Sequence, residues 1–321
     1  MSKYKIDPLS PKKLKTYPLD SRKSKIKVDD LGKPYSPQQP FADFISGLPD
    51  ILASGDFKKF IKSVVRARKN NSPIICALGA HVIKVGLNPV LIDLMKEGWI
   101  QALALNGAGI IHDFELAFAG KTSEDVAQSL GDGSFGMAEE TGTFLNDAIN
   151  TGAKEDLGLG ESVGRFISDS NYPYKNFSLL SAAYDMDIPV TVHVAVGTDI
   201  IHIHPNIDGE ALGKTTLKDF FLLCALIKTL EGGGVFIQIG SAVILPEVFL
   251  KCLSFVRNQG AKVEQFTTAV FDFIHHYRPY QNIVKRPAEE KAKGYYFIGH
   301  HEIMIPLLAA ALKSEHSSSA D

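Results

Sequence analysis

A chain of 321 residues, 45% hydrophobic and 22% charged, carries enough apolar side chains for one large buried core or two small ones. Its formal net charge of −2 gives no whole-chain reason to bind nucleic acid. Met1 to Lys33 lacks the apolar segment of a secretory signal, and the run Ile303 to Leu312 is too short to span a bilayer, so a cytoplasmic protein with no membrane partner is expected. Cys76, Cys224 and Cys252 form no C-x-x-C pair, and each lies in an apolar stretch, as buried thiols in a reducing compartment do.

Residues 1–40 form a basic arm, with nine lysines and one arginine against four aspartates and six of the sixteen prolines. Such a segment buries little apolar surface and is expected to be extended, either free or across a neighbouring subunit. Residues 41–312 read as a single α/β domain. Phe41, Phe44, Ile45 and Leu48, then Phe57, Phe60, Ile61, Val64 and Val65, have helical spacing. Ile74–Leu78 is a short strand that breaks at Gly79-Ala80-His81. The next helix is expected to be capped by Asn88, with Pro89 in its first turn and a stop at Gly98. Strand Ile100–Leu105 runs into Asn106-Gly107-Ala108-Gly109 and another helix. The pattern then predicts a helix over Ser123–Leu130, a loop over 131–136, a helix over Met137–Ile149 and a polar loop over 150–160. Helices near Ser162–Ser168 and Phe177–Asp185 precede a strand over Ile188–Ala195. Thr216 is expected to cap a helix over Leu217–Glu231. Strand Val235–Ile239 breaks at Gly240-Ser241-Ala242, and Pro246 opens the next helix. A helix–strand junction spans Ala261–Ala269, Tyr295–Ile298 is the last strand and Glu302–Leu312 the last helix. The polar tail 313–321 is expected to be disordered.

Short, almost wholly apolar strands belong in the middle of a parallel sheet covered on both faces. Repeated strand, glycine loop and helix units predict a doubly wound, Rossmann-like sheet with helices on both faces. A nucleotide-sized ligand is then expected at the carboxyl ends of the strands.

His112, Asp113 and Glu115 follow the second glycine loop. Asp113 could accept from ribose hydroxyls or orient a substrate while His112 moves a proton, or the acids could simply favour the helix dipole. Asp199, just past a strand end, suits a cationic amine. His193, His202 and His204 are a zinc-like set without a nearby carboxylate, and no metal is expected. Lys84 and Lys285 are the lysines that could act as nucleophiles, Lys285 having Arg286 beside it. His275-His276 and His300-His301 fall in expected loops.

These motifs, in this order, make the chain resemble the deoxyhypusine synthase family from about Phe41 to Leu312. Gly79-Ala80-His81 stands where the family has a Thr-Ser-Asn loop. Asn106-Gly107-Ala108-Gly109 stands at its Thr-Thr-Ala-Gly-Gly, and His112-Asp113 at the acidic pair that follows. Ile188-Pro189-Val190 and Gly197-Thr198-Asp199 match an Ile-Pro-Val strand and a polyamine-contacting Gly-Asp loop. Gly240-Ser241-Ala242 replaces a triple glycine. Thr267-Thr268-Ala269 and Phe271-Asp272 resemble Asn-Thr-Ala and Glu-Phe-Asp, and Ile305-Pro306-Leu307-Leu308 closes both sequences. The chain departs from the family where Phe273-Ile274-His275-His276 and Tyr280-Gln281 replace polyamine-binding acids. Lys285 lies about two residues before the family's nucleophilic lysine and lacks its tryptophan. The segment Asn106–Glu115 is also similar to the Asn-Ala-x-Ala-x-His-Asp-x-Glu pattern of NAD-dependent ornithine cyclodeaminases.

The resemblance implies NAD as cofactor, held by Gly79, Ala80, His81, Asn106, Gly107, Ala108, Gly109, Gly240, Ser241, Ala242, Thr268, Ala269, His300 and His301. It implies a homotetramer with active sites shared between subunits. The expected function is NAD-dependent oxidation of an amine or amino acid to an imine, with His112, Asp113, Asp199 and Lys285 as catalytic residues. The alternatives are a genuine aminobutyl transferase using spermidine, a non-catalytic NAD-binding regulator and, from a further class, a metallohydrolase.

Overall fold

β1 (Ile74–Leu78) is buried along its whole length, and its side chains alternate between two apolar layers. Ile74, Cys76 and Leu78 face one layer, Ile75 and Ala77 the other. A strand with two apolar faces needs helices on both sides, and the computed structural model, which describes residues 3–318, supplies them. Five more strands complete the sheet: β2 (Ala102–Asn106), β3 (Val190–His193), β4 (Val235–Ile239), β5 (Thr267–Asp272) and β6 (Lys293–Ile298). The order is β3-β2-β1-β4-β5-β6 and every pair is parallel, the doubly wound arrangement expected.

One face is covered by α2 (Leu52–Lys69), α4 (Asn88–Lys96), α5 (Gly107–Ala119) and α14 (His301–Ser318), with α1 (Phe41–Gly47) outside them. α7 (Glu139–Lys154), α8 (Leu159–Ser168) and α9 (Leu179–Asp185) extend that layer beyond β3. The other face is covered by α10 (Gly209–Lys228), α11 (Ile244–Asn258) and a helical segment from Tyr277 to Glu289 that contains a π-helical turn over Tyr280–Lys285. The short helices α3 (His81–Lys84) and α6 (Val126–Ser129) sit in loops, and α12 (Tyr277–Pro279) and α13 (Arg286–Glu289) flank the π turn. The three cysteines are buried and unbonded. No helix among the described residues is long and apolar enough to cross a membrane.

Several elements differ from the sequence expectation. Asn88 does not cap α4; its amide is buried and donates to Asp113 Oδ1 (2.9 Å) and the Phe177 carbonyl (2.8 Å). Thr216 lies inside α10, which Asp208 caps by accepting from Glu210 N and Ala211 N. The Thr216 hydroxyl instead donates to the Val192 carbonyl of β3 at 2.7 Å. The predicted loop over 150–160 is helical to Lys154 and again from Leu159. α6 is a single turn, not the longer helix expected over 123–130. α14 continues past Leu312 to Ser318, and Lys313 pairs with Asp93 of α4 and, at 2.7 Å, with Glu97 just after it. Residues 319–321 of the expected disordered tail lie outside the described residues, as do residues 1–2 of the arm.

The arm from residue 3 to residue 40 is exposed almost throughout and belongs to neither apolar layer. Two backbone bonds tie its end to the domain, Lys33 N to the Gly47 carbonyl (2.8 Å) and Asp50 N to the Asp30 carbonyl (2.9 Å).

β3 is an edge strand, and α10 seals it. The Asp219 carboxylate accepts from Val192 N (2.7 Å) and Gly160 N (2.9 Å). Without such partners the edge would offer unpaired backbone groups to another chain.

Candidate functional site

The strand order reverses between β1 and β4, so their carboxyl ends form the switch point where open α/β sheets hold ligands. Short bonds lock the loops there. Gly79 N donates to the Ile239 carbonyl (2.8 Å), and Ala80 N donates to Asn106 Oδ1 (3.1 Å). Asn106 therefore spends its side chain on the neighbouring loop and makes no side-chain cap on α5.

The glycines serve a different purpose from the one expected. They admit protein groups. A Cβ on Gly79 would meet the Gly240 carbonyl oxygen at 1.9 Å, one on Gly107 would meet Asp199 Oδ2 at 2.0 Å, and one on Gly240 would meet His301 Cε1 at 2.8 Å. Gly240 also has φ +65°, a conformation that favours glycine. Gly109 packs on Leu105. Ser241 is buried; its carbonyl accepts from Gln238 Nε2 at 2.8 Å and its hydroxyl accepts from Leu245 N in α11. Ala108 and Ala242 are half-buried beside these turns.

Beyond Gly240 stands His301, the first residue of α14. Its imidazole is buried, and neither ring nitrogen has a hydrogen-bond partner. Nε2 lies 4.0 Å from Asp272 Oδ1, and the ring sits edge-on to His81 with centroids 5.6 Å apart. Burial lowers the His301 pKa, partly opposed by the Asp272 charge. Asp272 ends β5, is itself buried, and also lies 3.8 Å from His276 Nε2. His81 is exposed at the lip, with Phe273 beside it. His300 points outward, near Glu302 at 3.9 Å, apart from this cluster.

A second polar group lies at the ends of β2 and β3. Asp199 is buried, and its Oδ2 accepts no hydrogen bond. Burial pushes its pKa up to about 6, against the pull of Thr198 and the His112 charge. His202 Nε2 is 4.0 Å away and equally unpartnered. His202 Nδ1 accepts from Gly197 N (3.1 Å) and Asp199 N (3.3 Å), so the proton of the neutral ring is on Nε2. Thr122 donates to Glu115, which leaves its oxygen to accept from His112 Nδ1 at 2.7 Å. That assigns the His112 lone pair to Nε2, the form a general base needs. Thr141 donates to the other Glu115 oxygen at 3.2 Å, and a cavity of about 340 Å3 opens beside Glu115. A cavity of about 450 Å3 lies at Ile188–Val190, the amino end of β3, away from all these groups.

Besides His300, four expected site residues stand elsewhere. Asp113 is fully buried, and its carboxylate accepts from Asn88 Nδ2, the Ser178 hydroxyl, Leu179 N and Leu180 N. It fastens α5 to the start of α9, although burial pushes its pKa up to about 6. No lone pair is left facing the crevice. Thr268 and Ala269 lie inside β5, and the Thr268 hydroxyl donates to the Ile283 carbonyl at 2.6 Å. Lys285 follows the residues that pack on Thr268 and Gly294, near the strands' amino ends, and is half-exposed 4.0 Å from Glu289. It stands at the wrong edge of the sheet to reach Asp199.

Asp272 and the role of His202 were not expected. Asp272 had a sequence signal, being the polar residue that ends an apolar strand. His202 had none beyond its pairing with His204. That pairing dissolves, because His204 Nε2 bonds to the Gly136 carbonyl at 2.8 Å. His193 pairs with Thr191 Oγ1 at 3.0 Å, and burial lowers its pKa to about 4. Among the described residues no group of three or more His, Cys, Asp or Glu could hold a metal ion.

No family model and no curated protein matches the chain in sequence. Its fold does match solved structures. A provisionally assigned deoxyhypusine synthase from Entamoeba histolytica superposes with a TM-score of 0.50 and 10% identity, over 88% of this chain and 95% of that one. A provisionally assigned LOR/SDH protein from Methanococcus maripaludis S2 gives a TM-score of 0.49 and 14% identity, over 82% of this chain and 70% of that one. AgrE, solved with ornithine and NAD+, gives 0.48 and 14% over 82% of this chain. The chain spans only 33% of AgrE's length. The fold is thus deoxyhypusine synthase-like and the sequence divergent.

Proposed function

We propose that the chain is an NAD-dependent enzyme that oxidises a C–N bond of an amine or amino acid to an imine. The observation that carries this reading is Asp199, a buried carboxylate with an unpartnered oxygen at the carboxyl edge of the sheet. Burying a carboxylate without a partner is costly, and an ammonium group is the partner its chemistry demands. The reading also draws on the resemblance in sequence motifs and on the shared fold.

The crevice fits NAD on one count. His301 offers two buried ring nitrogens at the switch point, beside the lip formed by His81. The glycine turns hold these groups in place, and their space is filled by protein. NAD, when bound, supplies the hydride acceptor. Asp199 fixes the ammonium of the substrate, and His202 beside it keeps the loop shaped through its two backbone bonds. His112 takes a proton at Nε2, and Glu115 steadies the resulting imidazolium through Thr122. Covalent capture by Lys285 is not part of this reading.

Asp199→Asn tests it. NAD affinity should stay within about twofold, while release of NADH or ammonia from amines and amino acids falls at least about a hundredfold, the loss of a charge-assisted contact together with its positioning. Unchanged turnover in that variant would dismiss Asp199 as the amine anchor.

A further inference from the structure

A cationic recess lies at the opposite edge of the sheet, at the amino ends of β4, β5 and β6. It is a cavity of about 350 Å3, and three separate chain segments bring a cation to it. Arg66 projects from the last turn of α2, Lys291 from the turn before β6, and Lys293 from the first position of β6. Asn70 and Gln265 add side-chain amides to the wall. Of the three, Lys291 pairs with Glu264 at 2.8 Å. Among the described residues Arg66 and Lys293 have no carboxylate within 4.0 Å. A second carboxylate, Glu231, accepts from Glu264 N at 2.7 Å and acts on Lys291 from behind it, so three cations against two carboxylates leave the concavity net positive.

The backbone is bent to make this arrangement. Gln265 and Lys291 hold φ at +58° and +72°, a region that side-chain-bearing residues avoid, and Gly232 and Gly233 complete the floor with φ of +77° and +140°. Strain of this kind gathers where surroundings fix an unusual geometry. One function of the cations is to complement the α2 carboxyl terminus, but Lys291 and Lys293 are not on that helix.

We propose that this recess binds a phosphate group, either free phosphate or the phosphate of a small ester. A guanidinium fork and two ammonium groups match a dianionic tetrahedral oxyanion, and the remaining volume admits a small organic body. The recess lies across the sheet from Asp199 and His301, so a ligand there would not compete with the proposed chemistry.

Melting temperature and calorimetry of the full chain test this, with inorganic phosphate, glycerol 3-phosphate, and sodium chloride at matched ionic strength. Both phosphates should raise the melting temperature where chloride does not. Tighter binding of the ester assigns the recess to phosphate esters, and equal binding assigns it to free phosphate. Arg66→Gln and Lys293→Gln should each weaken phosphate about tenfold or more, the loss of one charge-assisted contact. Glu264→Gln, which frees Lys291, should tighten it. Lys62→Gln, on α2 but outside the recess, should change nothing. An equal shift with chloride, or a phosphate shift that survives the Arg66→Gln/Lys293→Gln pair, would overturn the proposal.

Discussion

The backbone of Gly79 rests on that of Gly240 so closely that a Cβ on residue 79 would lie 1.9 Å from the Gly240 carbonyl oxygen. This contact closes the sheet's switch point and sets the positions of His81 and His301 around it. Gly79→Ala must push two strands apart. It should cost about 1–3 kcal/mol or more in urea unfolding, the range for overpacking. Gly131→Ala, where nothing lies within 4 Å, is the control and should stay within about 0.5 kcal/mol of the parent.

Asp219 makes a prediction about pH. Burial raises its folded pKa to about 7 from the ordinary 3.8. Between those values the folded chain keeps a proton that the unfolded chain has shed. Its contribution to stability is therefore full below pH 4 and declines as pH rises to 7. His193, held near 4 in the fold, slopes the other way between about 4 and 6.5. Subtracting Asp219→Asn from the parent, in urea midpoints taken every half unit, isolates the Asp219 slope, and a flat difference would refute it. Asp219→Ala strands two backbone N–H groups and should cost about 2–5 kcal/mol below pH 4, with the cost shrinking as pH rises to 7.

Lys285 stands near the amino ends of the strands. Lys285→Ala should leave NAD affinity and amine turnover unchanged within about twofold, against the complete loss expected of a nucleophile. Transfer of label from spermidine to a protein lysine, abolished in this variant, would restore the transferase reading.

The arm leads to a prediction about assembly. Leu9, Leu14, Tyr17, Leu19 and Val28 are exposed on it, and it packs into neither apolar layer. Light scattering at micromolar concentration should give a homo-oligomer, a tetramer by the resemblance, and deletion of residues 1–32 should lower the mass. A monomeric mass for the full chain contradicts this.

What could be read in the sequence was what local pattern controls. β1 and β4 were legible to the residue because strands covered on both faces are continuous apolar runs. Misreadings came where a distant partner redefines a residue. Thr216 looks like a cap but serves β3. Gly152, in the segment expected to be a polar loop, lies inside α7 and lets it approach Ser162 of α8, whose Oγ would be 1.8 Å from a Cβ there. Lys313 extends α14 through acids more than two hundred residues earlier in the chain. At the site, Asp199 and His301 stand at the carboxyl edge of the sheet, His301 as the first residue of α14. Asp113 does not, because Asn88 and the start of α9 claim it, a contact between segments that no spacing rule could show.

In the proposed function the carboxyl edge of this sheet binds NAD through the cluster around His301. Calorimetric titration of NAD into the full chain, with His301→Gln beside it, tests this most directly. Saturable binding by the parent, a rise in melting temperature, and affinity about tenfold weaker or worse in the variant are expected, while Lys285→Ala binds like the parent. No heat and no thermal shift at millimolar NAD would contradict it, and so would equal affinity in His301→Gln.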